Sequence, residues 1–182
     1  MKRIAVALAL AGACTIGMTA AASPAFALET YAAKVEASDA ASQARVDMLD
    51  AFGPKELRPG QFVWRDVPES AGAERVVISL SDAMAYLYRG NTLMAATTIS
   101  SGRDSKPTPT GIFSIFRKAE MYRSKKYDNA PMPYAEFFDP AGIALHAGSV
   151  SAESHGCVHL PTAFAKKLYS VTDIGTPVLI GA

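Results

Sequence analysis

From Gln61 onward the chain is written in short apolar runs separated by turn residues, and that rhythm decides what it can fold into. Val76-Val77-Ile78-Ser79-Leu80 is a β-rich run, and Ala83 to Arg89 alternates with Tyr86 and Tyr88 on one face. Gly90-Asn91 is a hairpin turn signal, and Thr92 to Ser100 returns as the next strand. Ile112 to Phe116, Gly142 to His146 and Thr176 to Ile180 read as further short strands. Ser101 to Thr110 and Tyr122 to Pro133 read as long loops. One late helix is expected over Thr162 to Val171, with Thr162 as N-cap and Phe164, Leu168 and Val171 on one face. Strands without an alternating helical rhythm predict a mainly antiparallel β domain over residues 61–182. Repeats, a Gly-rich phosphate loop, an EF-hand loop and heptads are all missing from the sequence.

Residues 28–60 differ in character. The spacing of Val35, Val46, Leu49 and Phe52 predicts a partly amphipathic helix from Tyr31 to Phe52, ended by Gly53-Pro54 and Pro59-Gly60. Such a segment reads as a stalk or as a helix packed on the domain edge, with no chemistry of its own. Ahead of it, residues 1–27 have the layout of a secretory signal peptide. Lys2 and Arg3 form the positive start, Ile4 to Ala22 is apolar and uncharged, and Ala25-Phe26-Ala27 is an A-x-A cleavage site. An uncleaved anchor or a lipid on Cys14 are the other readings of this stretch. The expectation is export to the periplasm or cell envelope, with no stable membrane span after cleavage.

Composition narrows the function classes. Of the 182 residues 49% are apolar and 19% charged, which supports a packed core and argues against disorder. The formal net charge of +1 argues against a nucleic-acid binder. Without its first 27 residues the chain keeps a single cysteine, Cys157, so no internal disulfide is available to the exported form.

That cysteine and all three histidines lie between residues 146 and 159, in the segment His146-Ala-Gly-Ser-Val-Ser-Ala-Glu-Ser-His155-Gly156-Cys157-Val158-His159. Packing does not need histidine, and a structural cysteine does not need three of them nearby. A thiol is a weak nucleophile until a base removes its proton, and an imidazole can do so. His146 ends an apolar strand that would hold its ring rigidly. Gly156, beside the sulfur, permits a sharp turn that would let successive N–H groups converge on an oxyanion. Other readings are a buried structural thiol and a metal site. In a strand His155, Cys157 and His159 would face one way and His146 could add a fourth ligand, although the spacings usual for zinc are absent.

Ser154-His155-Gly156-Cys157-Val158 closely resembles the signature of the L,D-transpeptidase catalytic domain, the YkuD family. The resemblance extends over about residues 75–181. It includes the Val76 to Asn91 hairpin, the Ser101-Gly102 step, Pro107-Thr108-Pro109-Thr110-Gly111, Met132-Pro133-Tyr134, Gly142 to His146 and Gly175-Thr176-Pro177-Val178, all in the family's order. It implies a β-sandwich-like catalytic fold acting on peptidoglycan stem peptides. Cys157 would attack the tetrapeptide at its third residue, release terminal D-alanine and hold the acyl group as a thioester. An amine would resolve it in a 3→3 cross-link; water or a D-amino acid are alternative acceptors. His146 would be the base, oriented by the Ala147 carbonyl. The backbone N–H groups of His155, Gly156 and Cys157 would form the oxyanion hole. Ser154, His159 and Tyr134 would serve substrate binding, Ser154 by bracing the turn and Tyr134 from beside the cleft. Carbapenems would acylate Cys157, and no metal or cofactor is implied.

His159 departs from the family, which usually has arginine there. The exchange replaces a permanent planar cation with a titrating ring, and implies weaker or pH-dependent stem binding. It also suggests a second reading, a catalytically weakened wall-binding protein. A papain-like arrangement is disfavoured, because His146 precedes Cys157 in the chain and no histidine follows residue 159. The loop from Tyr122 to Tyr134, with Arg123, Lys125 and Lys126 among aromatics, is either a lid meeting an acidic peptide or an ordinary solvated loop.

Overall fold

A computed structural model describes residues 27–182, so the signal-like segment, Cys14 included, lies outside the described residues except for Ala27. In chain order the elements are β1 (Ala27–Leu28), α1 (Tyr31–Phe52), β2 (Phe62–Trp64), β3 (Glu74–Ser79), β4 (Met84–Arg89), β5 (Thr92–Thr98), β6 (Gly111–Ser114), β7 (Arg117–Arg123), β8 (Pro131–Asp139), β9 (Ile143–Ala147), β10 (Val158–Leu160), α2 (Thr162–Val171) and β11 (Pro177–Gly181). They form a seven-stranded sheet of order β1-β6-β11-β3-β4-β5-β2 and a four-stranded sheet of order β10-β9-β8-β7. The pairs β11–β3 and β10–β9 are parallel and the rest antiparallel. The architecture is mostly β with an early and a late helix, as the sequence predicts.

One core joins the sheets. Val76, Ile78 and Leu87 from the larger sheet meet Phe138, Leu145 and Val158 from the smaller one and Phe164 and Leu168 of α2. Phe113 and Phe138 bridge the layers edge-on at 5.3 Å. Strand alternation turns Val77, Tyr86 and Tyr88 to the other face, where α1 covers them. α1 is therefore a face-covering element of the sheet rather than an edge attachment.

α1 has the expected limits, with Thr30 Oγ1 accepting from the Ala33 N–H at 3.2 Å and Gly53 closing the helix at φ 75°. Its buried face is not the expected one. Val35, Val46 and Leu49 are 41–51% exposed, and the sheet is met instead by Ala33, Ala37, Ala41, Ala44 and Met48. The reason is proximity. A Cβ on Gly181 of β11 would lie 2.7 Å from the Ala37 carbonyl oxygen and 2.9 Å from the Ala41 Cβ, so methyl groups are what fits. Tyr88 Oη adds a 2.6 Å donation to Asp47 Oδ2.

The long loop expected over residues 122–133 is shorter, because both of its ends belong to strands. β7 and β8 pair from Arg117↔Phe137 to Arg123↔Pro131, leaving residues 124–130 as the connection. β7 is a charged strand with no apolar alternation, and β8 opens with Pro131 and Pro133. Both prolines lie beyond the part of β8 that pairs with β9, where no ladder bond is required on that side. α2 has the expected limits, but Pro161 rather than Thr162 stands at its N-cap. No helix among the described residues is long and apolar enough to cross a membrane.

Candidate active site

The parallel pair β9–β10 sets His146 directly beside His159 in register, with the rings edge-to-face at 4.8 Å. His146 is 5% exposed, and its Nδ1 lies 2.9 Å from the Ala147 carbonyl oxygen. A carbonyl only accepts, so Nδ1 carries the proton and Nε2 keeps the lone pair of a base. Burial pushes the imidazole down to about 4, against a raising effect of the Ala147 bond and with a smaller lowering effect of His159. At neutral pH the ring is uncharged.

His159 is pinned in the same manner. Its Nδ1 lies 3.0 Å from the Ser149 carbonyl oxygen and 3.2 Å from Ser100 Oγ. Its backbone exchanges hydrogen bonds with Ser100. Gly148 leaves the ring its space, since a Cβ there would lie 2.8 Å from two of its carbons.

The turn carrying Cys157 is braced from two sides. Ser154 Oγ donates to the Cys157 carbonyl at 2.6 Å and accepts from the Gly156 N–H at 3.0 Å. Thr108 Oγ1 donates to the Gly156 carbonyl at 2.8 Å and accepts from the Gly102 N–H at 2.9 Å. Gly156 has φ 115°, and a Cβ on Gly102 would fall 2.8 Å from the Gly156 Cα. The Ser101-Gly102 step and the Pro107-Thr108-Pro109 segment thus act as the back of the nucleophile turn. Ser154 ties the turn together from within. The expectation for Gly156 changes: its N–H is already bonded to Ser154, which leaves the His155 and Cys157 amides for an oxyanion.

The sulfur packs beside Met132, Ala135, Phe137 and Ala144, and burial raises the thiol above its ordinary value, with a backbone hydrogen bond at Ala144 working the other way. The resting pair is therefore thiol and neutral imidazole rather than thiolate and imidazolium. Cys157, His146, His155 and His159 all line one cleft of about 490 Å³, with Met132, Pro133, Tyr127 and Glu153 among its other walls.

Tyr134 does not stand beside this cleft. Its φ of 54° switches the face of β8 on which side chains emerge, so its ring goes to Tyr169 of α2 at 5.9 Å and to the main core. The aromatic wall is Tyr127 instead, stacked on His155 at 4.5 Å and 25°. The basic, aromatic loop was its sequence signal; which tyrosine turned inward was set by a backbone conformation that composition does not encode. Ser100 and Thr108 were not singled out either, although the Ser-Gly and Pro-Thr-Pro segments pointed at their neighbourhood. Among the described residues, no group of three or more His, Cys, Asp or Glu side chains is arranged to hold a metal ion.

Fold and site together define a two-sheet domain with one cysteine and a tautomer-fixed histidine opening on a shared cleft. Residues 73–180 match the L,D-transpeptidase catalytic domain, and the chain belongs to that family, YkuD. Solved structures agree in fold. An L,D-transpeptidase from Stackebrandtia nassauensis is 23% identical, with a TM-score of 0.57 over 76% of this chain and 66% of that one. L,D-transpeptidase 1 from Mycobacterium tuberculosis is 22% identical, with a TM-score of 0.54 over 60% of this chain and 62% of that one. A cysteine-to-serine mutant of the Enterococcus faecium L,D-transpeptidase is 24% identical, with a TM-score of 0.52 over 59% of this chain and 49% of that one. The chain thus spans roughly half to two thirds of these proteins' lengths. A comparison with curated proteins finds no match.

Proposed function

We propose that this protein is an exported cysteine acyltransferase, a peptidoglycan L,D-transpeptidase that uses Cys157 as nucleophile and His146 as general base. The observation that carries the reading is that a thiol and an imidazole whose Nδ1 proton is fixed on Ala147 line the same cleft. In the first half-reaction His146 Nε2 accepts the thiol proton as the sulfur attacks the carbonyl of the stem's third residue. The N–H groups of His155 and Cys157 are the donors available to the oxyanion, and the braced turn holds them in place before the charge develops. Collapse breaks the C–N bond, and the imidazolium gives its proton to the departing D-alanine amine. A neutral amine of a second stem then attacks the thioester; His146 takes its proton and passes it to the sulfur as the C–S bond breaks, which forms the cross-link and restores the thiol. Hydrolysis or exchange with a D-amino acid shares the first half.

Membership in the family and the signal-like layout of residues 1–27 support this reading, including its placement in the periplasm or cell envelope. One solved relative, 22% identical over 59% of this chain, is an L,D-transpeptidase in complex with imipenem. By that analogy imipenem is expected to acylate Cys157. The test is incubation with a disaccharide-tetrapeptide and, separately, imipenem, using the parent protein and Cys157→Ala. D-alanine release and a mass adduct from the parent alone support the reading. No adduct and no release from the parent would leave a wall-binding protein in its place.

A further inference from the structure

His159 Nδ1 is taken up by the Ser149 carbonyl. Cations border the cleft through Tyr127, one of its walls. The Arg103–Lys106 turn is fastened to the nucleophile turn: the Arg103 N–H donates to the Ser154 carbonyl at 3.2 Å, and the Lys106 N–H donates to the Arg103 carbonyl at 2.8 Å. Its attachment is rigid, because Gly102 has no room for a Cβ against Lys106, Gly156 and Thr108. Lys106 Nζ lies 3.3 Å from Tyr127 Oη and 5.1 Å from its ring centroid, and Lys126 Nζ lies 5.6 Å from the same centroid. Tyr127 in turn stacks on His155, and both rings line the cleft with Cys157. Arg103 and Lys106 both reach His155 electrostatically, lowering its imidazole after the larger effect of desolvation.

The charge balance of this rim is positive. The loops of residues 101–110 and 124–130 carry Arg103, Lys106, Lys125 and Lys126 against Asp104 and Asp128, while the one charged side chain lining the cleft itself is Glu153. Tyr127 Oη accepts from Lys106 and keeps its own proton to donate. A lysine and a phenol side by side therefore present two donors and a positive charge to an incoming anion.

We propose that the Arg103–Lys106 turn together with Tyr127 is the carboxylate subsite of the cleft, and that its ligand is a free carboxylate of an acidic peptide donor. This deepens the function proposed above and rests on it.

The test is calorimetric binding to Cys157→Ala protein, so that affinity is read without turnover. The ligands are the free-acid tetrapeptide and the same peptide with its carboxylates amidated. The acid form is expected to bind more tightly. Adding Lys106→Gln weakens the acid form roughly fivefold to tenfold and leaves the amide unchanged. Tyr127→Phe, which keeps the stack, gives a smaller loss on the acid form alone. Raising salt from about 50 to about 500 mM weakens only the acid form. Absent binding of the acid, equal affinity for the two peptides, or an equal loss for both in Lys106→Gln overturns the subsite. D-alanine release by the parent protein reads the proposed reaction separately, so the two failures are distinguishable.

Discussion

Cys157 and His146 are both held in their uncharged forms, and this fixes how the nucleophile is made. A preformed ion pair would give a thiolate whose reactivity is flat across neutral pH. Here burial raises the thiol and drives the imidazole down to about 4, so the thiolate fraction climbs through neutral pH and beyond. Alkylation of Cys157 by iodoacetamide is expected to rise about tenfold per pH unit between roughly pH 6 and 8, without a plateau. A rate independent of pH over that range, followed by mass spectrometry, would contradict the neutral pair. The key site residues were legible in the sequence because chemistry-bearing residue types are scarce in it: one cysteine after residue 27 and three histidines, gathered within fourteen positions. Tyr134 was misplaced for the opposite reason. Tyrosines are common here, and a left-handed backbone at one of them decided which face it took.

At the scale of elements, the C-terminus of α2 is tied to β7 and β8 through a buried acid. Glu136 is 1% exposed, and its Oε1 meets the hydroxyl of Thr172, which also lies 2.8 Å from the Leu168 carbonyl oxygen. Thr172 has one proton for two acceptors, so a protonated Glu136 donating to Thr172 satisfies the whole chain. Lys118 Nζ, 3.6 Å from the same carboxyl, donates to the Tyr169 carbonyl at 2.7 Å and to that of Thr172, closing the helix end. Burial outweighs the lowering effects of Thr172 and Lys118 and brings Glu136 up to about 7 from 4.5. A raised carboxyl favours the folded state fully below the unfolded value, and the benefit fades as pH rises through the folded one. Urea denaturation should therefore show the parent losing roughly 3 kcal/mol more than Glu136→Gln between about pH 4.5 and 8. Parallel profiles for the two proteins would refute this. α1 offers a second check. Gly181→Ala forces a methyl into the Ala37–Ala41 seam and should cost about 1–3 kcal/mol in the same assay. The helix limits could be read from Thr30, Gly53 and the run between them. Its docking face could not, because the close approach to Gly181 selected alanines over the larger apolar residues that periodicity favours. β7 was invisible for a related reason: its pairing to β8 orders it without any apolar stripe of its own.

On the scale of the molecule, the segment that reads as a stalk is part of the folded unit. α1 covers Val77, Tyr86, Tyr88, Leu93 and Ala96 on the outer face of the larger sheet. A chain beginning at Gln61 would present that apolar surface to water. It is expected to lose its cooperative thermal transition and to bind a hydrophobic dye at 25 °C. A sharp transition near the parent's midpoint would show instead that the two sheets stand alone. The order of the sheets was the least legible level, because the pairings β1–β6, β11–β6, β11–β3, β2–β5 and β10–β9 join strands far apart in sequence or separated by the nucleophile turn, and no local signal announces them.

Three of the outermost strands share a property that bears on life at high concentration. β2 and β10 have three residues each, and β10 is already bridged by Ser100 along its outer side. β7, a third border, carries Arg117, Lys118, Glu120 and Arg123. These three margins are too short, too occupied or too charged to template another molecule. At those three borders the β-rich architecture carries little of the aggregation hazard that such architectures invite.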